Sequence, residues 1–173
     1  MISIHPITPE CAGVYKAVRL RALQDTPSAF CTTYAQESTV TDAQWHERAA
    51  RFLGGTGTGL IALEDDEPCG LVRGSPDEGG DATVAWVESM WVAPTHRKRG
   101  VGRLLIDSVE AWARPRGVRT LKLMVTSTND PAIAFYERLM FVRTGKTAPH
   151  RNNPAVPEWE MARPVHLRTQ RSD

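Results

Sequence analysis

The densest chemistry in the chain lies between Trp91 and Leu105, which read Trp-Val-Ala-Pro-Thr-His-Arg-Lys-Arg-Gly-Val-Gly-Arg-Leu-Leu. A strand-like run ends, Arg97, Lys98 and Arg99 follow, Gly100 and Gly102 flank Val101, and an amphipathic helical pattern starts at once. The two glycines allow a turn whose backbone N–H groups all point at one anion. The helix N-terminus would add its partial positive charge, and Arg97, Lys98, Arg99 and Arg103 would add side-chain donors. Taken alone, the pattern also describes an ordinary solvated helix start.

Two other phosphate loops fail on spacing. Gly145-Lys146-Thr147 imitates the end of a nucleotide-triphosphate loop, but Met140 stands where that loop needs glycine. Pro149 and Pro154 then forbid the long helix that should follow. Gly55, Gly57 and Gly59 lack the dinucleotide spacing, because position 60 is leucine; they suit a flexible strand entry.

The elements that must position these residues alternate along 173 residues, a length for a single domain over 1–173. Residues 2–7 suggest a first strand. Thr8-Pro9-Glu10 looks like a cap with proline at the first helical position, and a helix runs to about Gln24, stopped by Thr26-Pro27. Residues 28–39 are expected to be irregular. Thr41 or Asp42 caps a second helix carrying Trp45, Ala49 and Phe52. Leu60 to Leu63 and Cys69 to Arg73 read as a hairpin, and Ala82 to Val92 as a long strand closed by Ala93-Pro94. A helix follows over Gly100 to Arg114, then a buried strand over Thr120 to Val125, then a helix opened by Asp130-Pro131. Residues 141–143 and 159–162 are the last strands, flanking a polar, proline-rich loop from Thr147 to Glu158. The sum is an α+β fold with a mixed sheet.

Bulk properties exclude several classes. Twenty-one basic against twenty acidic residues is too balanced to argue for nucleic acid. No apolar run approaches the ~18 residues of a membrane span, and the N-terminus lacks a signal-peptide pattern, so no membrane partner is expected. Cys11, Cys31 and Cys69 are odd in number and widely spaced, which points to no zinc or other metal and to a reducing cytoplasm.

The run Arg97-Lys98-Arg99-Gly100-Val101-Gly102 matches the R/Q-x-x-G-x-G/A signature of the GNAT acyltransferase superfamily. About thirty residues later, Asn129-Asp130-Pro131-Ala132-Ile133-Ala134-Phe135-Tyr136-Glu137-Arg138-Leu139-Met140-Phe141 resembles that family's N-x-x-A-x-x-[FL]-Y-x-x-x-G-F segment. Met140 replaces its usual glycine, a departure that bears on a left-handed helix ending. The resemblance covers residues 82–143 by motif and the remainder by element order.

It implies a GNAT-like, mostly antiparallel sheet of about seven strands, splayed near its centre, with about four helices. It further implies acetyl-CoA as co-substrate: the pantetheine arm along Met90, Trp91 and Val92, the pyrophosphate on Arg97, Lys98, Arg99, Gly100, Val101 and Gly102 with Arg103, and Asn129 on the arm. Asn129 could equally cap a helix. Tyr136 resembles the tyrosine that protonates the departing thiolate; the alternative is a core tyrosine. Glu88 resembles the strand acid of aminoglycoside-acetylating members. By strand alternation it shares a face with Met90 and Val92, unless a bulge changes the parity. It is the candidate base, or else an acid that pairs with a cation or faces water.

The acceptor cleft of this family falls on residues 23–45 and 144–160. Phe30, Tyr34 and Trp86 are the candidate acceptor contacts, with Glu37, Trp45, His150 and Arg151 behind them; an aromatic pair with an acid suits a cationic amine. The expected activity is transfer of acetyl to a primary amine of a small molecule, directly in a ternary complex, because no cysteine falls in either motif. A protein N-terminus or lysine as acceptor, a non-catalytic CoA-binding sensor, and a homodimeric assembly remain open.

Overall fold

The computed structural model describes residues 1–165; the end of the expected domain, 166–173, lies outside them. Thr8 and Pro9 do what their types suggest: a 3-10 turn over Pro9–Cys11 leads strand β1 (Ile2–Pro6) into helix α1 (Ala12–Asp25), which Pro27 ends. Helix α2 (Tyr34–Ser38) lies within the segment expected to be irregular. Its cause is a reciprocal cap, in which the Thr33 hydroxyl accepts from the Gln36 N–H and the Gln36 side chain accepts from the Thr33 N–H. Thr41 caps helix α3 (Asp42–Ala50) in the same way.

Strands β2 (Thr58–Glu64), β3 (Glu67–Pro76) and β4 (Val84–Val92) follow, then helix α4 (Val101–Ala113), strand β5 (Thr120–Thr126) and helix α5 (Asp130–Arg138). Strands β6 (Val142–His150) and β7 (Asn153–Pro164) form a long hairpin. The polar loop expected over Thr147 to Glu158 is therefore mostly strand. Its prolines misled because Pro149 lies on the edge strand β6, and Pro154 and Pro157 lie on the part of β7 beyond the end of its ladder with β5 at Glu158, where a missing N–H costs little.

The seven strands form one sheet in the order β1-β2-β3-β4-β5-β7-β6, antiparallel throughout except for β4 with β5. Helix α4 packs on the face carrying Gly70 and Gly74. A β-carbon on Gly70 would stand 2.9 Å from Leu105, and one on Gly74 2.9 Å from Val109, so these glycines set how closely the helix approaches. Leu71 and Arg73 point to the other face, which α1 and α3 cover with Tyr15, Val18, Leu23 and Trp45. Met140, in the place of the family glycine, adopts the left-handed conformation anyway, at φ 67°. Its side chain stays in solvent, and the conformation costs on the order of 1 kcal/mol relative to glycine. No helix of the described residues is long and apolar enough to cross a membrane.

Candidate active site

Strands β4 and β5 pair only from Val84 to Trp86 opposite Thr120 to Lys122. Beyond that, β4 follows β3 to Val92 while β5 follows β7 to Thr126. A parallel pair is slightly weaker per residue than an antiparallel one, so each strand keeps its antiparallel neighbour and a wedge opens between them. The expected central splay is this wedge. Val87 to Val92 thus present a free backbone edge inside the sheet.

A bulge interrupts β4 at the same place. Arg73 faces Glu88 and Leu71 faces Trp91, so between these pairs the single Val72 of β3 opposes Ser89 and Met90 of β4, and Ser89 takes φ 54°. The parity expected from plain alternation is overturned: Glu88 lies with Trp91 on the α1–α3 face, while Met90 and Val92 lie on the α4 face. The Met90 terminal methyl would be 3.2 Å from a β-carbon on Gly102, consistent with that side. Glu88 is exposed, its carboxylate 3.8 Å from Arg73. Trp86 shares its face, donating from its indole to Asp77 at 2.8 Å with the Lys122 ammonium 5.6 Å over its ring.

At the wide end of the wedge, Gly100 caps α4 at φ 86°, a conformation that favours glycine. The N–H groups of Val101, Gly102 and Arg103 belong to the first helical turn and have no partner within the helix. The four basic side chains divide into two sorts. Arg97 donates to Val92 O and to Asp25, and Arg99 donates to Glu64 at 2.6 Å, so both brace the loop from within. Lys98, at φ 62°, and Arg103, 3.7 Å from Asp107 and well exposed, remain available to an anion. Burial of Asp25 opposes its ionisation, yet hydrogen bonds from Thr26, Trp91 and Arg97 outweigh it and hold the carboxyl below its ordinary range. The Arg99 hydrogen bond, aided by His96, does the same for Glu64. Gly102 has a packing role: a β-carbon there would stand 2.8 Å from the Phe135 ring.

Helix α5 brings the second motif to the same wedge. Asn129 is its cap, the side chain accepting from the Ala132 N–H at 3.3 Å, a bond that does not use its amide N–H groups. Tyr136 is 7% exposed and packed against Phe135 and Phe141. Burial pushes its phenol well above the ordinary value, so it stays protonated.

These parts border a cleft of about 550 Å³. Trp86, Glu88, Met90, Asn129, Tyr136 and Phe30 line it, as do Glu37 and Arg151. Tyr34 does not: it lies on the outer side of α2, 41% exposed. Trp45 is core, edge-on to Tyr15 at 5.1 Å, and His150 is buried with Nδ1 accepting from Asn152 N–H. Sequence reasoning missed Arg19 and Arg73, which line the cleft from α1 and β3. They lie far apart in the chain and meet only through the fold. No cluster of three or more metal-ligating side chains occurs among the described residues.

A family model described as acetyltransferase (GNAT) family matches residues 20–141. Streptothricin acetyltransferase of Streptomyces lavendulae is 44% identical over 59 residues, which is 34% of this chain and 31% of that protein. N-alpha-acetyltransferase 60 of Drosophila melanogaster is 37% identical over 70 residues, 38% of this chain and 25% of that protein. Each match therefore spans less than a third of the relative's own length. In fold, yncA from Salmonella typhimurium, a structure determined with its cofactor acetyl-CoA, superposes with TM-score 0.78 at 16% identity, over 99% of this chain and 98% of that one. With the motif residues meeting at one wedge and a family match that runs from α1 to the end of the second motif, this chain belongs to the GNAT acetyltransferase family.

Proposed function

We propose that the chain is an N-acetyltransferase that moves the acetyl group of acetyl-CoA to a primary amine of a small molecule, directly within a ternary complex. The observation that carries this is the wedge itself, a free β4 edge set between the N-terminus of α4 and the buried hydroxyl-bearing Tyr136. The residues fit the coenzyme: unpaired first-turn N–H groups, Lys98 and Arg103 suit a pyrophosphate, and the free edge suits the amides of its arm. When bound, acetyl-CoA supplies the acetyl group as an activated thioester.

The chain's own groups do the remaining work. Tyr136 holds a proton toward the position where the sulfur departs. Proton transfer from a phenol to a thiolate runs uphill, but the same dry surroundings raise the thiol's pKa too and lessen the gap, and the phenol regains its proton from solvent after the thiol leaves. Glu88 takes up the proton that an ammonium acceptor must lose, through water, from the exposed side of the cleft. Direct transfer suits the cysteines. Cys31 lines the cleft, but burial first of all pushes its thiol pKa up, away from the thiolate that a covalent relay requires.

A small acceptor suits the cleft's closed side. Asn152 donates to Phe30 O at 3.1 Å and the Thr126 hydroxyl donates to Ser28 O at 3.0 Å. These bonds tie the loop after α1 to the β6–β7 turn and to β5, which restricts that side of the cleft and favours a compact acceptor. The test is release of free thiol from acetyl-CoA over amines, polyamines, aminoglycosides and peptides. Turnover with a small amine is expected. Turnover confined to peptides would overturn the small-molecule acceptor, and acetyl-CoA binding without any release would make the chain a sensor.

A further inference from the structure

The cleft is lined by Arg19, Arg48, Arg51, Arg73 and Arg151. The acids beside them do not balance this charge. Glu37 is taken up by Arg48, and Glu88 meets Arg73 only at 3.8 Å. Burial pushes the Glu158 carboxyl up, toward its neutral form.

Arg19 is the most constrained of the five. It is 8% exposed, its Nη2 donates to the Thr32 hydroxyl at 2.9 Å, and its guanidinium lies 4.6 Å over the Phe30 ring. Its Nη1 is buried with no hydrogen-bond partner, and the same holds for Nε of Arg73. Burial first of all depresses the pKa of Arg19, Glu37 and Tyr15 oppose that, and the Arg73 cation pushes with burial. A guanidinium fixed by stacking and one hydrogen bond, with an unfilled N–H beside a cleft, is prepared for an acceptor atom that arrives from outside.

We propose that the acceptor is an amine that also carries a carboxylate, and that Arg19 and Arg73 receive that carboxylate on the α1–β3 wall of the cleft. The inference rests on the acetyltransferase reading above and names the acceptor's class. A carboxylate offers two coplanar oxygens, which match the N–H fork of a guanidinium. Its negative charge offsets the excess of arginine, whereas a polyamine would add to it. The same positive surroundings lower the pKa of the acceptor's ammonium, easing loss of the proton that transfer requires.

The test measures thiol release from acetyl-CoA with three matched acceptor sets: free α-amino acids, the corresponding amino-acid amides, and the corresponding amines lacking the carboxyl carbon. The best free acid should exceed its amide in kcat/KM by about 10–100-fold, the range for hydrogen bonds to a charged partner. Arg19→Lys keeps the charge but loses the fork, and half-exposed Arg73→Gln guards against a fold defect at Arg19. Each should shrink the acid-to-amide ratio toward one. Amides or carboxyl-free amines that match the acids would overturn the carboxylate assignment while leaving the acetyltransferase intact. So would a ratio that both variants leave unchanged. No thiol release with any set would overturn the underlying reading, and this assignment with it.

Discussion

Replacing Gly102 by alanine asks whether this glycine serves the anion, the packing of α4 on α5, or both. An added β-carbon would stand 2.8 and 3.0 Å from two atoms of the Phe135 ring and 3.2 Å from the Met90 methyl. Carbon atoms rest at ~3.5–4.0 Å, so the ring must retreat by roughly half an ångström or more. It cannot do so alone, because Phe135 leans on Tyr136 at 5.2 Å between centroids. Overpacking of this kind costs about 1–3 kcal/mol, while exchanging a helical glycine for alanine returns about 1 kcal/mol. The net change in stability is therefore small, about 0–2 kcal/mol, and a single variant measured alone decides little. The pair Gly102→Ala and Phe135→Leu decides it, because the smaller side chain vacates the space the methyl needs. Urea unfolding of parent, singles and double should show the two changes coupled by about 1 kcal/mol or more in the stabilising direction. Calorimetry with acetyl-CoA then separates the roles. If the double variant regains stability but not affinity, the bare backbone at 102 also serves close approach to the pyrophosphate. Coupling below about 0.5 kcal/mol would refute the packing argument, since independent sites add within that margin.

Tyr136→Phe should unfold at nearly the parent temperature, because the ring contacts persist and the hydroxyl makes no hydrogen bond among the described residues. It should bind acetyl-CoA normally yet lose about 10²–10⁴-fold in kcat; undiminished turnover would make the tyrosine structural. Glu88→Gln should lower kcat/KM most at low pH, where free amine is scarce. Superimposable pH profiles for variant and parent would remove Glu88 as the base. Asp25 and Glu64 have folded pKa values below their ordinary ones. Each therefore contributes stability that is complete above the unfolded value of about 4 and is lost as pH falls through the lower folded value. Thermal unfolding should stay level from neutral pH to about 5 and then decline. Asp25→Asn should lower the neutral plateau and soften the decline; a variant matching the parent at every pH would refute the Arg97–Asp25 brace.

What the sequence discloses and what it hides follow from the range of the interactions involved. Caps, glycines and 3.6-residue periodicity are local, so α4 and α5 are legible within a residue or two, whereas the expected first helix begins, and the expected second ends, in a 3-10 turn, over Pro9–Cys11 and over Arg51–Gly54 with Phe52 in it. The two motifs are local as well, which is why Gly100, Met90 and Tyr136 could be named and do meet at one wedge. The β6–β7 hairpin was hidden because proline content tells against strands in general, whereas the sheet's edge tolerates it, and edge position is a property of the whole sheet. Tyr34 was misplaced for a similar reason: the turn of α2 that faces it outward depends on the Thr33–Gln36 cap and on what α2 packs against. Arg19 and Arg73 are 54 positions apart by subtraction of their numbers, and only the stacking of α1 on β3 makes them neighbours. Glu88 was named correctly as a cleft residue but given the wrong face, because one residue in a left-handed conformation reverses every side chain beyond it.

That single residue links the fold to the chemistry. Without the bulge at Ser89, β4 would alternate evenly from the Ser75–Trp86 and Arg73–Glu88 pairs, and Met90 would fall on the α1–α3 face beside Glu88 instead of under α4. With it, β4 carries an apolar Met90 toward α4 and α5, and an ionisable Glu88 toward the cleft, from adjacent turns of one strand. A left-handed conformation at a residue with a β-carbon costs on the order of 1–3 kcal/mol, and strain of this size persists only where the surroundings impose it. Here the antiparallel register with β3 imposes it on one side, and the missing β5 partner permits it on the other. The wedge and the bulge are thus one device. Loss of the parallel ladder beyond Trp86 frees the β4 backbone to bulge, and the bulge in turn divides the side chains of that free edge between the α4 side and the α1–α3 side. Backbone groups at such an edge each forgo a hydrogen bond worth about 0.5–1.5 kcal/mol net, so an extended ligand bearing amides gains at this edge what β5 gave up.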